Sequence, residues 1–342
     1  MSFQVSWIEE GCRFDVEPGE SVLDGALRCG VPLPSECRFG GCGTCRVKLV
    51  EGTVTYLEPV GGLTPDEAAQ GYALACQARP TSHLVLSTER SLPAPVEPAQ
   101  HRAEVASIGM LSHDVCALSL RIPALEAVRY RPGQYVEVRV DDGGGRCFSM
   151  ASKPHGNVIE LHIRRIPGGY FTDTLLGRLR AGDGLDVTLP LGGFGYHEED
   201  FRPIVLGATG TGIAPLKSML EALADDPACP PIWLYWGCKG AADLYVDTQI
   251  RELGERFADF VYVPVLSEAD AGWTGRRGYV QQAMVEDLGD LAEYAVYLCG
   301  APVMIRGMKS AFIEHGGNLR YLYTDSFDFS HARDGATVPG EA

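Results

Sequence analysis

Four cysteines at a fixed spacing constrain this chain more than any other feature of its sequence. Cys37, Cys42 and Cys45 follow one another as C-x4-C-x2-C, and Cys76 comes after thirty intervening residues. This spacing is typical of a plant-type [2Fe-2S] centre, in which four thiolates hold two irons. Structural zinc is the alternative, but zinc usually requires two C-x2-C pairs, and only Cys42 and Cys45 form one. The spacing therefore predicts an iron-sulfur cluster with these four ligands.

The segment around these cysteines is predicted to be a compact α+β module of the β-grasp type. Residues 3–8 and 12–16 alternate as a hairpin, a short helix follows a cap at Ser21, and residues 45–50 resume as a strand. Glycines between the ligands allow positive φ, so that backbone amides can point at sulfur. With the phrase E-P-G-E-S-V-L-D before it, the segment resembles plant-type ferredoxin domains over residues 1–92.

The charge balance decides which partners are excluded. The chain has 29 Lys and Arg against 45 Asp and Glu, a net charge of −16. Nucleic-acid phosphates and acidic membrane surfaces repel a chain of this sign, so we expect neither as a partner. Its apolar runs are far shorter than the about 18 residues that span a bilayer, and its start lacks the cationic-then-apolar order of a secretory signal. We expect a cytoplasmic protein with reduced thiols.

Three prolines in six positions mark the first domain boundary. Residues 93–101 are therefore predicted to be a stiff connector after the ferredoxin domain. Alternating segments separated by Pro and Gly turns predict an antiparallel β-barrel over residues 102–199. Strands that alternate with helices predict an α/β domain over residues 200–342, with a parallel sheet covered on both faces.

Two motifs in the predicted barrel carry groups that suit a phosphorylated aromatic ligand. Arg146 can pair with a phosphate through its fork, Phe148 can lie against a flavin ring, and the Ser149 hydroxyl can bond near the reactive flavin nitrogen. The turn at residues 168–172, G-G-Y-F-T, offers amides to a pyrophosphate. Each motif by itself is also compatible with a plain strand end.

The α/β domain has motifs at the ends of two predicted strands. Residues 207–212, G-A-T-G-T-G, lie between a strand and a helix and suit a dinucleotide phosphate. Their G-x-x-G-x-G spacing departs from the usual fingerprint, so a simple turn is the alternative. Cys299 ends a strand where such sheets bind ligands, with a buried structural cysteine as the alternative. Phe327 is an aromatic that could cover a flavin or merely pack.

The order of these motifs resembles the ferredoxin-NADP reductase superfamily. With the ferredoxin domain in front, the chain is similar over residues 1 to 330 to the reductase components of bacterial aromatic-ring dioxygenases and multicomponent monooxygenases. The resemblance implies FAD, a [2Fe-2S] cluster, NADH with NADPH as the alternative, and a terminal oxygenase as electron acceptor. The implied catalytic residues are Ser149, Cys299, Asp325 and Phe327. The implied FAD contacts are Arg146, Phe148, Ser149, Met150, Ile163, Arg164, Gly168, Gly169, Thr172 and Phe327. The implied nucleotide contacts are Gly207, Thr209, Gly210, Thr211, Gly212, Cys299, Gly300 and Pro302.

A flavin between NADH and the cluster is a chemical requirement, because the nucleotide gives two electrons together and the cluster accepts one. Two alternatives stay open: a reductase that supplies a deoxysugar dehydratase, and a non-enzymatic iron-sulfur redox sensor. The sequence shows no evident Rieske or two-His, one-carboxylate set, and residues 197–200, H-E-E-D, are interpreted as a solvated loop. Lys239, with no Arg beside it to form a fork, favours NADH over NADPH.

Overall fold

The structure, a computed structural model, describes residues 2–35, 38–41, 43–88, 95–140 and 144–327. Within these ranges the chain forms three consecutive domains, each built around its own main sheet. They are an α+β ferredoxin domain, an antiparallel barrel and a parallel α/β domain, and the predicted fold class is confirmed. The domain limits 1–92, 102–199 and 200–342 stay predictions. A strand begins at Ala99, so the end of the predicted connector 93–101 is part of the barrel.

The ferredoxin domain is a five-stranded sheet with a helix packed on it. Alternation places Val5 and Phe14 in its core. The predicted cap is present, because the Ser21 hydroxyl accepts the N–H of Asp24 while the Asp24 carboxylate accepts the N–H of Ser21. Its elements are β1 (Phe3–Trp7), β2 (Cys12–Val16), α1 (Val22–Arg28), β3 (Arg46–Glu51), β4 (Val54–Thr55), α2 (Pro65–Ala69), β5 (Tyr72–Leu74), β6 (Arg79–Pro80) and β7 (Leu84–Ser87). The sheet order is β2-β1-β7-β3-β5, and β4 pairs with β6.

The second domain is an antiparallel sheet that closes on itself. Its strands are β8 (Ala99–Met110), β9 (Val115–Arg121), β10 (Tyr135–Arg139), β11 (Gly145–Ser149), β12 (Val158–Arg164) and β13 (Gly184–Leu191). The order is β11-β10-β13-β8-β9-β12. The two outer strands meet where Met150 bridges Leu161 and the N–H of Ala151 donates to the carbonyl of Glu160 at 2.7 Å. Closure of this kind leaves a barrel whose rim carries the predicted FAD motifs.

The third domain is a parallel sheet with helices on both faces. Its elements are β14 (Ile204–Thr209), α3 (Ile213–Leu223), β15 (Ile232–Cys238), α4 (Asp247–Gly254), β16 (Phe260–Leu266), β17 (Arg276–Arg277), α5 (Val280–Leu288), β18 (Ala295–Gly300), α6 (Pro302–Glu314) and β19 (Leu322–Ser326). The order is β17-β16-β15-β14-β18-β19. Strands β15 to β17 are added on one side of β14, whereas β18 and β19 are added on the other. The strand order therefore reverses between β14 and β18, and a ligand crevice opens at the carboxyl ends of these two strands. No helix in the five described ranges is both long enough and apolar enough to cross a bilayer.

A buried polar network joins the barrel to the third domain. Lys217 on α3 is 6% exposed, and its Nζ donates to Glu221 at 2.6 Å and to the carbonyl of Ala151 at 3.0 Å. On β12, Glu160 Oε1 lies 2.8 Å from His162 Nε2 and 3.5 Å from Lys217 Nζ. A buried cation needs these partners, because an unpaired charge away from water is costly. The network therefore fixes α3 on the rim of the barrel.

Glu160 makes this junction sensitive to acid. The hydrogen bond with His162 lowers the pKa of Glu160 to about 2, against the effect of burial, and Lys217 adds to the lowering. This pKa lies below the ordinary 4.5. The ionised carboxylate therefore stabilises the fold fully at pH values above 4.5, and this stabilisation is lost as the pH falls towards 2.

We therefore expect E160Q to lower the free energy of unfolding at pH 7 by about 1 kcal/mol, a figure discounted for solvent screening because the side chain is 35% exposed. The difference from the wild type should shrink between about pH 5 and about pH 3. Urea unfolding followed by tryptophan fluorescence measures both. The exposed Glu252 provides the control E252Q, and a difference that stays constant with pH would contradict the role given to Glu160.

Candidate functional site

Two of the predicted cluster ligands lie together at one end of the ferredoxin domain. Cys45 is 2% exposed and precedes β3, whereas Cys76 is 5% exposed and follows β5. The N–H of Ala75 donates to the carbonyl of Cys45 at 2.9 Å, so the two segments are bonded to each other. Cys37 and Cys42 lie outside the described residues. The set of four ligands therefore stays a prediction.

The loop beside these cysteines has the backbone shape that a cluster requires. Gly40 and Gly43 have φ values of +82° and +83°, where a side chain would be strained. A Cβ on Gly40 would lie 2.9 Å from the Val60 side chain. Two buried sulfur donors beside a glycine-rich loop fit a bulky anionic iron-sulfur group.

The first barrel motif places three predicted FAD residues along β11. Ser149 is 7% exposed, and its hydroxyl has no hydrogen-bond partner among the described residues. Phe148 is half-buried, and its ring centroid lies 5.2 Å from that of Phe171. Arg146, also half-buried, donates to the carbonyl of Gly145 at 3.1 Å. A nearly buried hydroxyl with unused capacity next to an aromatic ring fits the polar edge of a flavin.

The second barrel motif forms a tight turn ahead of the helical turn Tyr170–Leu175. A Cβ on Gly169 would lie 2.3 Å from Thr172 Oγ1. Gly168 has a φ of +78°, and its N–H donates to the Asp173 carboxylate at 3.1 Å. The N–H of Gly169 donates to the carbonyl of Ile166 at 2.9 Å, so both glycine amides are occupied. The first amides of the following helical turn are the ones that suit a pyrophosphate.

Arg164 lies at the border of the barrel and the third domain. Its Nε is 3.3 Å from the Asp114 carboxylate, yet this buried atom makes no well-directed hydrogen bond within the described chain. A Cβ on Gly210 would lie 3.3 Å from the Arg164 guanidinium. A guanidinium with an unused donor fits a phosphate oxygen. The predicted FAD and nucleotide residues therefore meet at this point.

The predicted nucleotide motifs of β14 and β18 are brought together by close backbone contact. A Cβ on Gly212 would lie 2.1 Å from the carbonyl oxygen of Cys299. Gly300 has a φ of +139°, and a Cβ there would lie 2.4 Å from Thr209 Oγ1. Both glycines are therefore required by packing, and the crevice floor consists of their backbone and the Thr209 hydroxyl, which accepts the N–H of Ala301 at 3.1 Å. Such a floor fits the phosphates of a dinucleotide.

The predicted catalytic residues of this domain surround the same crevice. Cys299 is 0% exposed and Asp325 is 2% exposed, and the Cys299 Sγ lies 3.8 Å from Asp325 Oδ2 because the register of β18 and β19 pairs the two residues. The N–H of Phe327 donates to the carbonyl of Gly300 at 2.9 Å. The thiol is buried, as the structural alternative expected, and its part in catalysis stays a prediction.

The remaining predicted residues frame these sites. Met150 is 0% exposed and Ile163 is 1% exposed, so both belong to the barrel core. Gly207 lies within β14, Thr211 lies in the short turn that precedes α3, and Pro302 begins α6. These residues can shape the two sites through packing and helix placement.

The interpretation of residues 197–200 as a solvated loop is wrong for its histidine. His197 is 1% exposed and stacks on the ring of Tyr323, with centroids 4.1 Å apart. Its N–H donates to the hydroxyl of Tyr297 at 3.1 Å, and the Tyr323 hydroxyl donates to Asp200 at 2.8 Å. The acidic neighbours indicated exposure, but a flat ring can be buried when it lies against another aromatic ring.

Buried charges lie at both domain junctions, where no sequence pattern predicts them. Glu160 and Lys217 join the barrel to α3, and Glu67 lies buried where the ferredoxin domain meets the third domain. The one visible signal was the T-x-x-E pattern from Thr64 to Glu67, which predicts a helix cap and no contact between domains.

A cluster loop, a flavin-type barrel and a dinucleotide-type sheet in one chain define an electron-transfer flavoprotein with an iron-sulfur centre. Three family models match in the same order: the 2Fe-2S iron-sulfur cluster binding domain over residues 6–81, the oxidoreductase FAD-binding domain over 102–196 and the oxidoreductase NAD-binding domain over 206–310. The chain belongs to this family of three-domain reductases. It is an NAD(P)H-dependent flavin and iron-sulfur oxidoreductase with [2Fe-2S], FAD and NADH as its cofactors.

Relatives with known names match over nearly their whole length. The reductase subunit of an aromatic O-demethylase from Amycolatopsis is 36% identical over 337 residues, which cover 96% of this chain and 99% of the relative. The CDP-6-deoxy-L-threo-D-glycero-4-hexulose-3-dehydrase reductase of Yersinia pestis is 33% identical over 329 residues, covering 96% and 99%. The crystal structure of the Amycolatopsis cytochrome P450 reductase GcoB matches with a TM-score of 0.72 at 35% identity, covering 95% of this chain and 98% of that one.

Proposed function

We propose that this chain passes electrons from NADH to a terminal oxygenase. The observation that supports the proposal is the position of β19, which lies beside the cluster loop and the nucleotide crevice. Thr324 lies beside Gly43 of the cluster loop, since a Cβ there would be 3.6 Å from Thr324 Oγ1. The next residue, Asp325, faces Cys299 of the nucleotide crevice. The strand then leads to Phe327, the predicted flavin cover.

Each site contributes a separate part of the process. Arg164 and the turn at residues 168–172 hold phosphate groups, and the Ser149 hydroxyl orients the polar edge of the ring. Phe148 and Phe327 exclude water from its faces. Backbone between Thr209 and Gly212 receives the nucleotide. Bound FAD supplies the conversion of a two-electron donor into a source of single electrons.

An oxygenase is the favoured acceptor because of two relatives. The terephthalate 1,2-dioxygenase reductase component 2 of Comamonas, at 32% identity, and the toluate 1,2-dioxygenase electron transfer component of Pseudomonas putida, at 31%, both carry names from oxygenase systems. A deoxysugar dehydratase is the second candidate, which the Yersinia relative supports at 33% identity. A non-enzymatic sensor lacks support, since NAD- and FAD-binding domains are both present.

Steady-state reduction of cytochrome c by NADH tests the proposed electron transfer. Oxidation of one NADH releases one proton and two electrons, and so reduces two molecules of ferric cytochrome c. The acceptor is then tested with the oxygenase that is expressed together with this chain, whose substrate-dependent oxygen uptake should require the reductase and NADH. Protein that carries flavin and cluster but does not reduce cytochrome c would contradict the proposal, and support of a dehydratase alone would favour the second candidate.

The end of β15 favours NADH over NADPH, because the second strand of such a sheet reaches the adenosine ribose. Lys239 there is 77% exposed and lies 3.7 Å from Glu268. Asp243 and Asp114 add carboxylates near the same loop. A 2′-phosphate would meet these acids without an Arg fork, so we expect kcat/KM for NADH to exceed that for NADPH by about tenfold or more.

Initial rates with the two nucleotides measure this preference. E268Q releases Lys239 from its carboxylate partner, so we expect it to lower the ratio of kcat/KM for NADH to kcat/KM for NADPH. E252Q on the exposed side of α4 should leave this ratio unchanged. Equal efficiency with NADPH in the wild type would refute the assignment.

A further inference from the structure

A buried carboxylate joins the ferredoxin domain to the NAD-binding domain. Glu67 on α2 is 0% exposed, and its Oε1 accepts from Arg46 Nη1 at 2.7 Å and from Lys309 Nζ at 3.2 Å. Lys309 belongs to α6 of the other domain and is 2% exposed. The second oxygen, Oε2, accepts the N–H of Thr64 at 2.8 Å and so caps α2. Oε2 thus accepts a hydrogen bond within the ferredoxin domain, whereas Oε1 also accepts one from the NAD-binding domain.

Arg46 and Lys309 also donate hydrogen bonds across the junction that do not involve Glu67. Arg46 donates to the carbonyls of Leu322 and Leu319 at 3.2 Å and 3.3 Å. In the opposite direction, Lys309 donates to the carbonyl of Gly62 at 3.3 Å. Arg46, Glu67 and Lys309, hereafter the charge triad, therefore form one connected set of contacts between the two domains.

The charge triad is stable only when its members are together. Burial acts to raise the pKa of Glu67, but Lys309 and Arg46 outweigh it, so the pKa lies below its ordinary value and the carboxylate is ionised. Loss of one cation while the domains stay in contact leaves a charge without compensation in a region of low dielectric constant. Buried ion pairs of this kind contribute little net stability, and their clearest use is to specify one arrangement of the chain.

The charge triad lies beside the cluster loop, at the helix that follows the nucleotide crevice. Helix α6 begins at Pro302, two residues after Gly300 of the nucleotide crevice, and Lys309 follows about two turns later. A Cβ on Gly43 of the cluster loop would lie 3.4 Å from Lys309 Nζ and 3.6 Å from Thr324 Oγ1. The triad thus lies next to the place where the cluster loop meets β19.

We propose that Arg46, Glu67 and Lys309 are positioning residues that dock the cluster loop against β19 and thereby set the rate at which electrons pass from flavin to cluster. The inference rests on the proposed function. The hydrogen bonds of the triad given above join the ferredoxin domain to α6 and to residues 319 and 322, so the triad acts on the step that delivers electrons to the cluster. The overall balance is unchanged: one NADH yields NAD⁺, one proton and two electrons, which leave singly through the cluster.

The variant K309M removes the cation of the NAD-binding domain and leaves the cap of α2 intact. In the holoenzyme we expect NADH-dependent reduction of ferricyanide, which takes electrons from the flavin, to be unchanged. Reduction of cytochrome c through the cluster should fall by about tenfold or more, since loss of one partner of a buried ion pair strongly shifts an equilibrium between two arrangements. Small-angle X-ray scattering gives a readout apart from activity, because undocking increases the radius of gyration.

Three further variants complete the test. K309R keeps the charge and should restore docking, and E67Q should reproduce K309M through the other side of the junction. K153M is the matched control, because Lys153 pairs with Asp225, away from the ferredoxin domain, and it should behave as the wild type.

The possible failures are distinguishable. A wild type that does not reduce ferricyanide with NADH would refute the proposed function, while scattering would still test docking. The charge triad does not position the cluster loop if the wild type is active and the two variants K309M and E67Q match it in two measurements. These are the ratio of cytochrome c turnover to ferricyanide turnover and the radius of gyration.

Discussion

Replacement of Cys76 by serine is expected to reduce NADH-dependent cytochrome c reduction by about a hundredfold or more, because even changes around a metal ligand cost about 10–100-fold. Cys76 is 5% exposed and lies against the segment of Cys45. Serine retains the size of the side chain but replaces a soft thiolate with a poor ligand for iron. Reduction of ferricyanide should persist, since it draws on the flavin alone.

The matched control is C29S, because Cys29 is exposed and lies outside the ligand spacing. Iron content and visible absorption of both variants report the cluster directly, and turnover with the two acceptors reports its use. The ligand assignment would be wrong if C76S retained two irons and the rate of the wild type. Zinc in place of iron in the wild type would instead support the alternative that the spacing left open.

The substitution G212A is expected to destabilise the NAD-binding domain by about 3 kcal/mol, as typical for a side chain forced into a filled space. The new methyl carbon would lie 2.1 Å from the carbonyl oxygen of Cys299. That atom is backbone of β18, so it cannot rotate away as a flexible side chain does. Movement of β18 away from β14 would open the crevice and disturb the neighbouring Gly300 and Asp325.

Thermal unfolding and kcat/KM for NADH measure the two consequences of G212A. The control is G109A, since a Cβ at that position in β8 meets nothing within 4 Å and its φ is an ordinary one. An unchanged unfolding temperature together with a large loss of kcat/KM for NADH would show that Gly212 contacts the nucleotide directly. Unchanged values of both would contradict the packing role described for it.

Several features of the fold followed from local patterns. Period-two alternation predicts the hairpin of β1 and β2, and a serine ahead of a short helical pattern predicts the cap at Ser21. The change from alternating strands to strands with helices separated the barrel from the α/β domain. These signals are readable because they arise between residues close in sequence.

Other features could not be predicted because their partners are far apart along the chain. Glu67 meets Lys309 across 242 positions, and the residues between them carry no periodicity that relates the two. His197 is buried because Tyr323 covers its ring, a contact that its acidic neighbours conceal. Gly212 and Gly300 were interpreted as nucleotide contacts, whereas close approach of the backbone already requires them.

The chemistry of this protein was determined by its sequence alone, because the spacing of four cysteines and the order of short motifs specify which cofactors can be held. Only the tertiary structure decided how the sites face one another, with β19 between the cluster loop and the nucleotide crevice and a buried charge triad beside it. The physical reason is that ligand spacing is a local property of the chain. The pairing of buried charges is settled only when whole domains pack and water leaves the space between them.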